Sequence, residues 1–253
     1  MKGKVYFIGA GPGDPELITV KGKRLLGEAD VIVYAGSLIN AELFAGVKAH
    51  LFDSSKMTLE ETHSVLSRYA KEGKTAVRLH SGDISFYSAI TEQINLLKKD
   101  GIAFEVVPGV SSLGAGASAL GQELTIPDIS QSVIITRIQG RTPVPPLESI
   151  ASFAAHKATM VIFLSVGMIE KLAEELRDGG YPGDTPAAVI ERASWPDQRI
   201  VKGNLGDIAH KVKEAGIKKT ALVYVGRALA ASDEDLKTAS KLYDKNFSHG
   251  ERE

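Results

Sequence analysis

Three short loops contain the residues whose types and spacing could bind a ligand. They are Gly9–Asp14, His80–Ser85 and Pro108–Ser112, and each follows a short apolar run. The first, Gly-Ala-Gly-Pro-Gly-Asp, is close to a dinucleotide-binding fingerprint, but Asp14 replaces the third glycine and its carboxylate would repel a pyrophosphate. No Gly-Lys-Ser/Thr sequence follows the glycines, so a phosphate-binding P-loop is excluded as well. The pattern predicts a nucleotide-type ligand that is not held through phosphates.

Each loop also has a purely structural interpretation. Asp14 as an N-cap and Pro15 at the first helical position fit the preferences of a helix start. Asp83 or Ser85 could cap the helix that follows the second loop. The stretch 108–117 is rich in glycine and poor in bulky side chains, which weakens a helix unless another helix or a flat ligand packs close to it.

The residue types disfavour covalent and metal-dependent chemistry. The six histidines are too scattered for a His-x-x-x-His pair and the chain has no cysteine, so we predict no protein-bound metal. The segments Gly109-Val-Ser-Ser-Leu and Gly116-Ala-Ser-Ala-Leu lack the final glycine of a serine nucleophile elbow. We therefore assign no catalytic side chain.

Basic side chains near predicted strand ends could bind carboxylates. Arg137 and Arg141 begin a proline-rich loop, and arginine binds carboxylates in a bidentate manner. For any single basic residue, the alternative is a solvated surface position without a binding role. Weaker candidates, near other strand ends, are Lys56, Arg78, His80 and Arg192.

The composition is that of a soluble globular protein. The 253 residues are 43% hydrophobic and 24% charged, with a mean hydropathy of -0.02. No apolar run is long enough for a membrane span, and the N-terminus begins with a strand pattern instead of a secretory signal. The absence of cysteine favours the cytoplasm, and a net charge of -1 argues against general nucleic-acid binding. We expect a cytoplasmic protein that binds neither membranes nor nucleic acid.

Alternating strand and helix patterns position the three loops. A repeated βα pattern predicts a parallel sheet, and such sheets bind ligands at the carboxyl ends of their strands, where all three loops fall. The predicted strands are Val5–Gly9, Val31–Tyr34, Ala76–His80 and Phe104–Val107, and the predicted helices lie near Pro15–Leu26, Leu59–Tyr69 and Phe86–Lys98.

A second series of strands follows a pause near Gln122–Ser130. Trp195-Pro-Asp197 separates two of these strands by a length suited to a hairpin, so we expect a mixed sheet. The strands are predicted at Val133–Arg137, Thr159–Leu164, Ala187–Arg192, Arg199–Lys202 and Ala221–Val225. The expected organisation is an α/β protein with an N-terminal domain at 1–121, a C-terminal domain at 122–230 and a polar tail at 231–253.

Four segments, taken in order, resemble the signature series of the tetrapyrrole (corrin/porphyrin) methylase family. They are Gly9–Asp14, Ser81–Asp83, Val107–Ser112 and Pro186–Arg192, and the resemblance extends over about residues 3–230. It implies a homodimer of two-domain α/β subunits, with a mostly parallel N-terminal sheet, a mixed C-terminal sheet and the active site in the interdomain cleft. It also implies S-adenosylmethionine (SAM) as the cofactor, S-adenosylhomocysteine (SAH) as its product and a tetrapyrrole as the substrate.

Further segments resemble the family members that methylate C11 of precorrin-4 or cobalt-precorrin-4 in cobalamin biosynthesis. They imply this activity, in which an electron-rich ring carbon attacks the SAM methyl group directly. The tail is more similar to the cobalt-dependent members of the anaerobic pathway. The segments are Tyr34–Leu38, Leu124–Asp128, Thr136–Pro145, Ala193–Asp197 and Lys241–Gly250.

The resemblance also implies site residues, matched motif to motif. Cofactor contacts are implied for Pro12, Ser81, Gly82, Asp83, Phe86, Ser111, Ser112, Leu164 and Ala193. We assign the substrate's peripheral carboxylates to Arg137 and Arg141, with His80, Arg78, Lys56 and Arg192 as weaker candidates.

Two positions depart from the family pattern. Ile84 stands where the family often has proline, which removes a ring that would rigidify the turn. Ala35 stands where uroporphyrinogen methylases carry an acidic residue, which argues against that reaction. The open alternatives are a methylase of the same fold with another corrin position or another substrate, such as diphthine or ribosomal RNA, an NAD-dependent oxidoreductase, and a non-catalytic corrinoid-binding protein.

Overall fold

The chain forms two compact units, each built on its own five-stranded sheet. The computed structural model describes residues 3–230, so the predicted tail lies outside the described residues. The first unit takes in the described residues up to Ala115 together with the short segment Ser194–Pro196. The second unit begins at Gly116, runs to Ala193 and resumes at Asp197.

The sheet of the first unit is entirely parallel, as the repeated βα pattern predicts. Its strand order is β3-β2-β4-β1-β5, so β1 and β4 lie side by side and β5 is the edge strand next to β1. The strands are β1 (Lys4–Gly9), β2 (Val31–Tyr34), β3 (His50–Asp53), β4 (Thr75–His80) and β5 (Ala103–Val107). The helices are α1 (Val20–Gly27), α2 (Leu59–Lys71), α3 (Ile90–Lys99) and α4 (Ser112–Leu120), of which α4 continues into the second unit.

Both faces of this sheet are covered, which explains why its central strands read as continuous apolar runs. On one face, Phe7 and Val33 pack with Leu66 of α2 and Leu97 of α3. On the opposite face, side chains of β1, β2 and β4 pack with Leu26 of α1. Because both faces are closed by helices, the carboxyl ends of the strands are where a ligand can approach the sheet.

Three elements of the first unit differ from the sequence-based expectation by more than two residues. α1 begins at Val20 instead of Pro15, because Asp14 caps only a 3-10 turn at Pro15–Leu17 and the Thr19 side chain, which accepts a hydrogen bond from Gly22, caps the α-helix. α3 begins at Ile90 instead of near Phe86, because left-handed backbone conformations interrupt the segment before it. β3 was not predicted, since it is a four-residue, mostly exposed edge strand without a buried apolar run.

The sheet of the second unit is mixed, which confirms the prediction made from its hairpin spacing. Its order is β6-β7-β10-β8-β9, with β6 and β7 parallel and the other neighbours antiparallel. The strands are β6 (Val133–Arg137), β7 (Thr159–Phe163), β8 (Pro186–Glu191), β9 (Arg199–Asn204) and β10 (Ala221–Val225). The helices α5 (Ile150–Ala154), α6 (Ile169–Asp178) and α7 (Ile208–Glu214) share one apolar cluster with these strands.

One glycine of α4 explains part of the low bulk of this helix. A Cβ atom added at Gly116 would lie 2.8 Å from Cζ of Tyr224, a fully buried side chain of β10. A protein side chain therefore comes close at this position. None of the helices in residues 3–230 combines the length and apolar character needed to cross a membrane.

Candidate functional site

The carboxyl ends of β1, β4 and β5 bring the three candidate loops together at one edge of the first sheet. The loops after β1 and β4 form a small antiparallel bridge, in which the Gly82 amide donates to the Gly11 carbonyl (2.8 Å) and the Gly11 amide donates to the Gly82 carbonyl (3.3 Å). Just before the bridge, the Ala10 amide donates to the His80 carbonyl at 2.7 Å. Main-chain hydrogen bonds therefore hold the first two loops together.

The third loop joins this bridge through direct backbone contact at glycines. A Cβ atom at Gly9 would lie 2.6 Å from the Gly82 carbonyl oxygen and 2.7 Å from Cα of Gly109, distances that real Cβ atoms essentially never show. We call the contact of Gly9, Gly82 and Gly109 the glycine junction. It requires glycine at positions 9 and 109, because a side chain at either one would push the backbones apart.

Asp83 ties the second loop to the third. Its carboxylate accepts hydrogen bonds from the Gly109 amide at 2.7 Å and from the Ser85 amide at 2.9 Å. Partial burial alone would raise the pKa of Asp83, but the hydrogen bonds from Ser85 and Gly109 outweigh it and hold that pKa below its usual range. The side chain is therefore a permanent acceptor at neutral pH that fixes the spacing of two loops.

Room for a ligand remains beside Gly82. Its backbone is left-handed (φ 66°), and a Cβ atom there would meet only the Ser112 amide nitrogen, at 3.7 Å. Ser111 precedes α4, and its hydroxyl accepts from the Leu113 amide at 3.2 Å, which places Ser112 at the start of the helix. The main chain of Ser112 in the third loop therefore borders this space.

The departure at Ile84 has a structural counterpart. Ile84 is 2% exposed and belongs to the apolar cluster that α2 and α3 cover. The Ile84 side chain therefore holds the second loop by packing in the core, whereas a proline would have restricted the loop through its ring. Phe86 follows as a half-buried residue, and Tyr87 and Ala89 have φ values of 55° and 47°. Non-glycine residues in this conformation cost on the order of 1–3 kcal/mol each and cluster at functional loops.

Side chains that the sequence interpretation did not assign hold the turn of the first loop. Asn40 donates from Nδ2 to the Gly13 carbonyl at 3.0 Å, and Trp195 donates from Nε1 to the Pro12 carbonyl at 2.9 Å. The Asp14 amide donates to the Ser194 hydroxyl at 3.0 Å. The signal available in the sequence was that Trp195 is the only tryptophan of the chain.

Two predicted cofactor residues belong to the second unit. Leu164 directly follows β7, is 70% exposed and has a left-handed backbone (φ 54°). Ala193 follows β8, is buried, and lies between two further left-handed residues, Arg192 and Ser194. An exposed leucine in a strained conformation is unusual, and strain of this kind is retained mainly where function requires it.

The predicted substrate-binding arginines of the second unit lie at its loops. Arg137 is half-buried and donates to the carbonyls of Thr142 (3.2 Å) and Pro143 (2.7 Å), so it organises the loop that contains the exposed Arg141. Arg192 donates from Nε to Asp197 Oδ1 at 2.7 Å.

The candidates of the first unit divide by exposure. Lys56 is exposed, whereas Arg78 and His80, both in β4, are 8% and 6% exposed. Arg78 donates to Gln93 Oε1 (3.1 Å) and to the Val33 carbonyl (3.2 Å), and burial lowers its pKa to about 10. This burial favours packing roles for Arg78 and His80, and their assignment to substrate binding stays a prediction.

His80 is the least solvated of these groups. Its ring stacks on Phe7 with 6.4 Å between centroids, and Nε2 is buried without a hydrogen-bond partner. Burial, and secondarily the charge of Arg78, lowers the pKa of His80 to about 3. The imidazole is therefore neutral throughout the physiological range. Within residues 3–230, no three His, Asp or Glu side chains are grouped so that they could hold a metal ion.

Comparison with known proteins assigns the class. The model of the family described as Tetrapyrrole (Corrin/Porphyrin) Methylases matches residues 4–209, and the chain belongs to this family. A relative from Methanocaldococcus jannaschii named cobalt-precorrin-4 C(11)-methyltransferase is 54% identical over 248 residues, which cover 97% of this chain and 95% of the relative.

Two solved structures are similar in fold as well as sequence. A cobalt-precorrin-4 methyltransferase of cobalamin biosynthesis superimposes with a TM-score of 0.87 at 46% identity, covering 89% of this chain and 95% of the other. A uroporphyrin-III C-methyltransferase from Thermus thermophilus, solved with S-adenosylhomocysteine, has a TM-score of 0.77 at 32% identity and covers 90% of this chain and 99% of the other.

Proposed function

We propose that this protein is a SAM-dependent C-methyltransferase that methylates C11 of precorrin-4, with or without cobalt, to give the corresponding precorrin-5 in cobalamin biosynthesis. The observation that carries the proposal is the 54% identity over nearly the full length of both chains to a protein named for this activity. The fold agrees with it, because a cobalt-precorrin-4 methyltransferase has the same architecture at a TM-score of 0.87.

The site at the first sheet fits SAM. SAM has an amino-acid part and a sulfonium instead of phosphates, and the space beside Gly82 is bordered by the main chain of Ser112, with the ionised Asp83 next to Gly82 in sequence. The residues that would hold the cofactor are Pro12, Ser81, Gly82, Asp83, Phe86, Ser111, Ser112, Leu164 and Ala193. When bound, SAM supplies the methyl group.

The protein contributes binding, orientation and exclusion of water. The nucleophile is the electron-rich ring carbon of the substrate, so no side-chain nucleophile is required, and correct placement can correspond to effective molarities of about 10⁵ to 10⁸ M. Arg137 and Arg141 bind the peripheral carboxylates of the macrocycle, and the Arg137 contacts to Thr142 and Pro143 hold this loop in place. We further propose a cytoplasmic homodimer.

The activity is tested with labelled SAM and cobalt-precorrin-4, in parallel with metal-free precorrin-4, followed by mass spectrometry and NMR of the product. A new methyl group at C11 is the expected result, and the preferred substrate identifies the pathway. Methylation at another ring position would favour the alternative, a methylase of the same fold with a different regiospecificity. SAM binding without methyl transfer to any corrin intermediate would indicate a non-catalytic binding protein.

The assignment of Arg141 is tested by Arg141→Ala. Loss of one charge-assisted contact is expected to raise the KM for the tetrapyrrole about tenfold, with the KM for SAM unchanged. Lys171→Ala serves as a control, because Lys171 is an exposed residue of α6 that pairs only with its own helix neighbour Glu175 among the contacts described. Unchanged tetrapyrrole affinity in Arg141→Ala would remove this residue from the substrate site.

A further inference from the structure

We propose that Trp195, together with Asn40, is a positioning residue that holds the turn Gly11–Asp14 in the conformation that binds the cofactor. The inference rests on the proposed function, since it takes Pro12 as a contact of SAM. It adds two residues that touch the turn from outside the three candidate loops.

The turn is held by side chains at three consecutive residues. The indole Nε1 of Trp195 donates to the Pro12 carbonyl at 2.9 Å, and Nδ2 of Asn40 donates to the Gly13 carbonyl at 3.0 Å. The Asp14 amide donates to Ser194 Oγ at 3.0 Å. Trp195 and Ser194 are 183 and 180 residues from their partners in sequence, yet the segment that contains them belongs to the same compact unit as the turn.

Gly13 provides the seat for the indole ring. A Cβ atom at Gly13 would lie 2.7 Å from Cγ of Trp195 and still closer to Cδ1 and Nε1, and these three are the nearest atoms it would meet. Gly13 is buried and Trp195 is half-buried, which is consistent with the indole ring packing directly on Gly13. The absence of a side chain at Gly13 is therefore matched to the presence of tryptophan at position 195.

This contact bears on the cofactor because a glycine-rich turn is otherwise flexible. Three of the residues 9–13 are glycine, and glycine loses more backbone freedom on ordering than any other residue. If the turn occupies its binding conformation for only a fraction of the time, the apparent affinity for the ligand falls by that fraction. Loss of the hydrogen bonds from Trp195 or Asn40 to the turn should therefore raise the Kd and KM for SAM without changing the affinity for the tetrapyrrole.

The first experiment removes the two donors singly. Trp195→Phe keeps an aromatic ring over Gly13 but loses the indole N–H. Asn40→Asp keeps an oxygen that can accept from the Glu42 amide, the cap at Ala41–Phe44, but loses the Nδ2 donor. Each variant is expected to raise the Kd for SAH, measured by calorimetry, and the KM for SAM about fivefold, with the KM for the tetrapyrrole unchanged.

The second experiment is a double-mutant cycle on the contact between Gly13 and Trp195. Gly13→Ala is expected to weaken SAH binding more than tenfold in the wild-type background and to have little effect in a Trp195→Ala background, where the clashing ring is gone. Gly27→Ala, at the end of α1, is the matched control because a Cβ atom there meets nothing within 4 Å.

The outcomes separate this proposal from the proposed function. Wild-type binding of SAH with unchanged Kd and KM in Trp195→Phe and Asn40→Asp, even with lowered thermal stability, would assign both residues a purely structural role and overturn the inference. An equal effect of Gly13→Ala on SAH binding in both backgrounds would show that the contact between Gly13 and Trp195 does not position the turn, and would also overturn the inference. Failure of the wild-type protein to bind SAH would overturn the proposed function together with this inference.

Discussion

The Asp83 carboxylate connects two loops that are 26 residues apart in sequence. Each of its oxygens accepts one main-chain hydrogen bond, Oδ1 from the Ser85 amide and Oδ2 from the Gly109 amide, so both oxygens position a loop. A neutral amide of the same shape has only one acceptor oxygen, and its NH2 group would point at an N–H donor. Shape alone therefore cannot replace the charge at this position.

We expect Asp83→Asn to lower the free energy of unfolding by about 1 kcal/mol, since the partly buried Gly109 amide or the exposed Ser85 amide loses its acceptor. It should also weaken SAH binding, because the third loop is no longer fixed relative to Gly82. Urea unfolding and calorimetry measure the two effects. Asp184→Asn is the control at a largely exposed aspartate, and a wild-type Kd in Asp83→Asn would show that this spacing does not matter for the cofactor.

His80 provides a pH-dependent prediction, because burial holds its folded-state pKa at about 3, below its ordinary value of 6.5. The unfolded chain then takes up a proton below about pH 6.5 that the folded protein does not, so stability is lost as the pH falls from 6.5 towards 3. Each pH unit in this window costs about 1.4 kcal/mol from this residue.

His80→Gln should therefore be less sensitive to acid than the wild type. Between pH 7.5 and pH 5, its free energy of unfolding should fall by about 2 kcal/mol less than that of the wild type. Urea titrations of both proteins at the two pH values provide the comparison, and His80→Asn is the second variant if the first folds poorly. Parallel losses in wild type and variant would mean that His80 is protonated in the folded state.

At the scale of elements, the site depends on three strands ending at a common point. At Gly109, a Cβ atom would lie 2.8 Å from Cα of Gly9 and nearer still to the Gly82 carbonyl oxygen. Both neighbours are backbone atoms, so no side-chain rotation can relieve the contact. The strand ends would have to separate, and the space beside Gly82 would change with them.

Gly109→Ala is accordingly expected to destabilise the protein by about 1–3 kcal/mol and to reduce SAH affinity. Gly114→Ala is a matched control five residues later, because a Cβ atom there meets nothing within 4 Å. Since Gly114 lies inside α4, alanine should stabilise the protein by up to about 1 kcal/mol. Thermal unfolding and calorimetry of both variants test the contrast, and equal behaviour would argue against a tight glycine junction.

The elements that the sequence predicted best are those with buried apolar runs. β2 and β10 have the predicted bounds, because a strand buried along most of its length leaves a continuous apolar signal. β6 also has the predicted bounds, although it is a mostly half-buried edge strand. β3 leaves no such signal, since most of its side chains are exposed. The start of α3 depends on left-handed conformations at Tyr87 and Ala89, which no residue type at those positions encodes.

The same distinction applies to the site. The meeting of the Gly82–Asp83 loop with the other two loops could be predicted, because all three follow neighbouring parallel strands, and its role in cofactor binding stays a prediction. Asn40 and Trp195 could not, because their roles depend on partners 27 and 183 residues away. A single sequence records which residues are present, whereas such contacts arise only when the chain is folded.

At the scale of the whole molecule, ligand binding and stability are linked. A ligand that binds only the folded protein raises the free energy of unfolding by about 2.7 kcal/mol at 100 times its Kd. SAH should therefore raise the thermal midpoint in a concentration-dependent manner. NAD should not, because Asp14 occupies the place of the fingerprint's third glycine and repels a pyrophosphate.

The same measurement tests the expectation of no protein-bound metal. The atom nearest to the proposed cofactor space beside Gly82 is the main-chain nitrogen of Ser112, and the chain contains no cysteine, so a chelator or a thiol reductant should leave the SAH-dependent shift unchanged. Thermal unfolding with SAH, with NAD, and with SAH plus chelator distinguishes these cases in one series. A shift with NAD would revive the oxidoreductase alternative, and loss of the SAH shift with chelator would require a metal in the cofactor site.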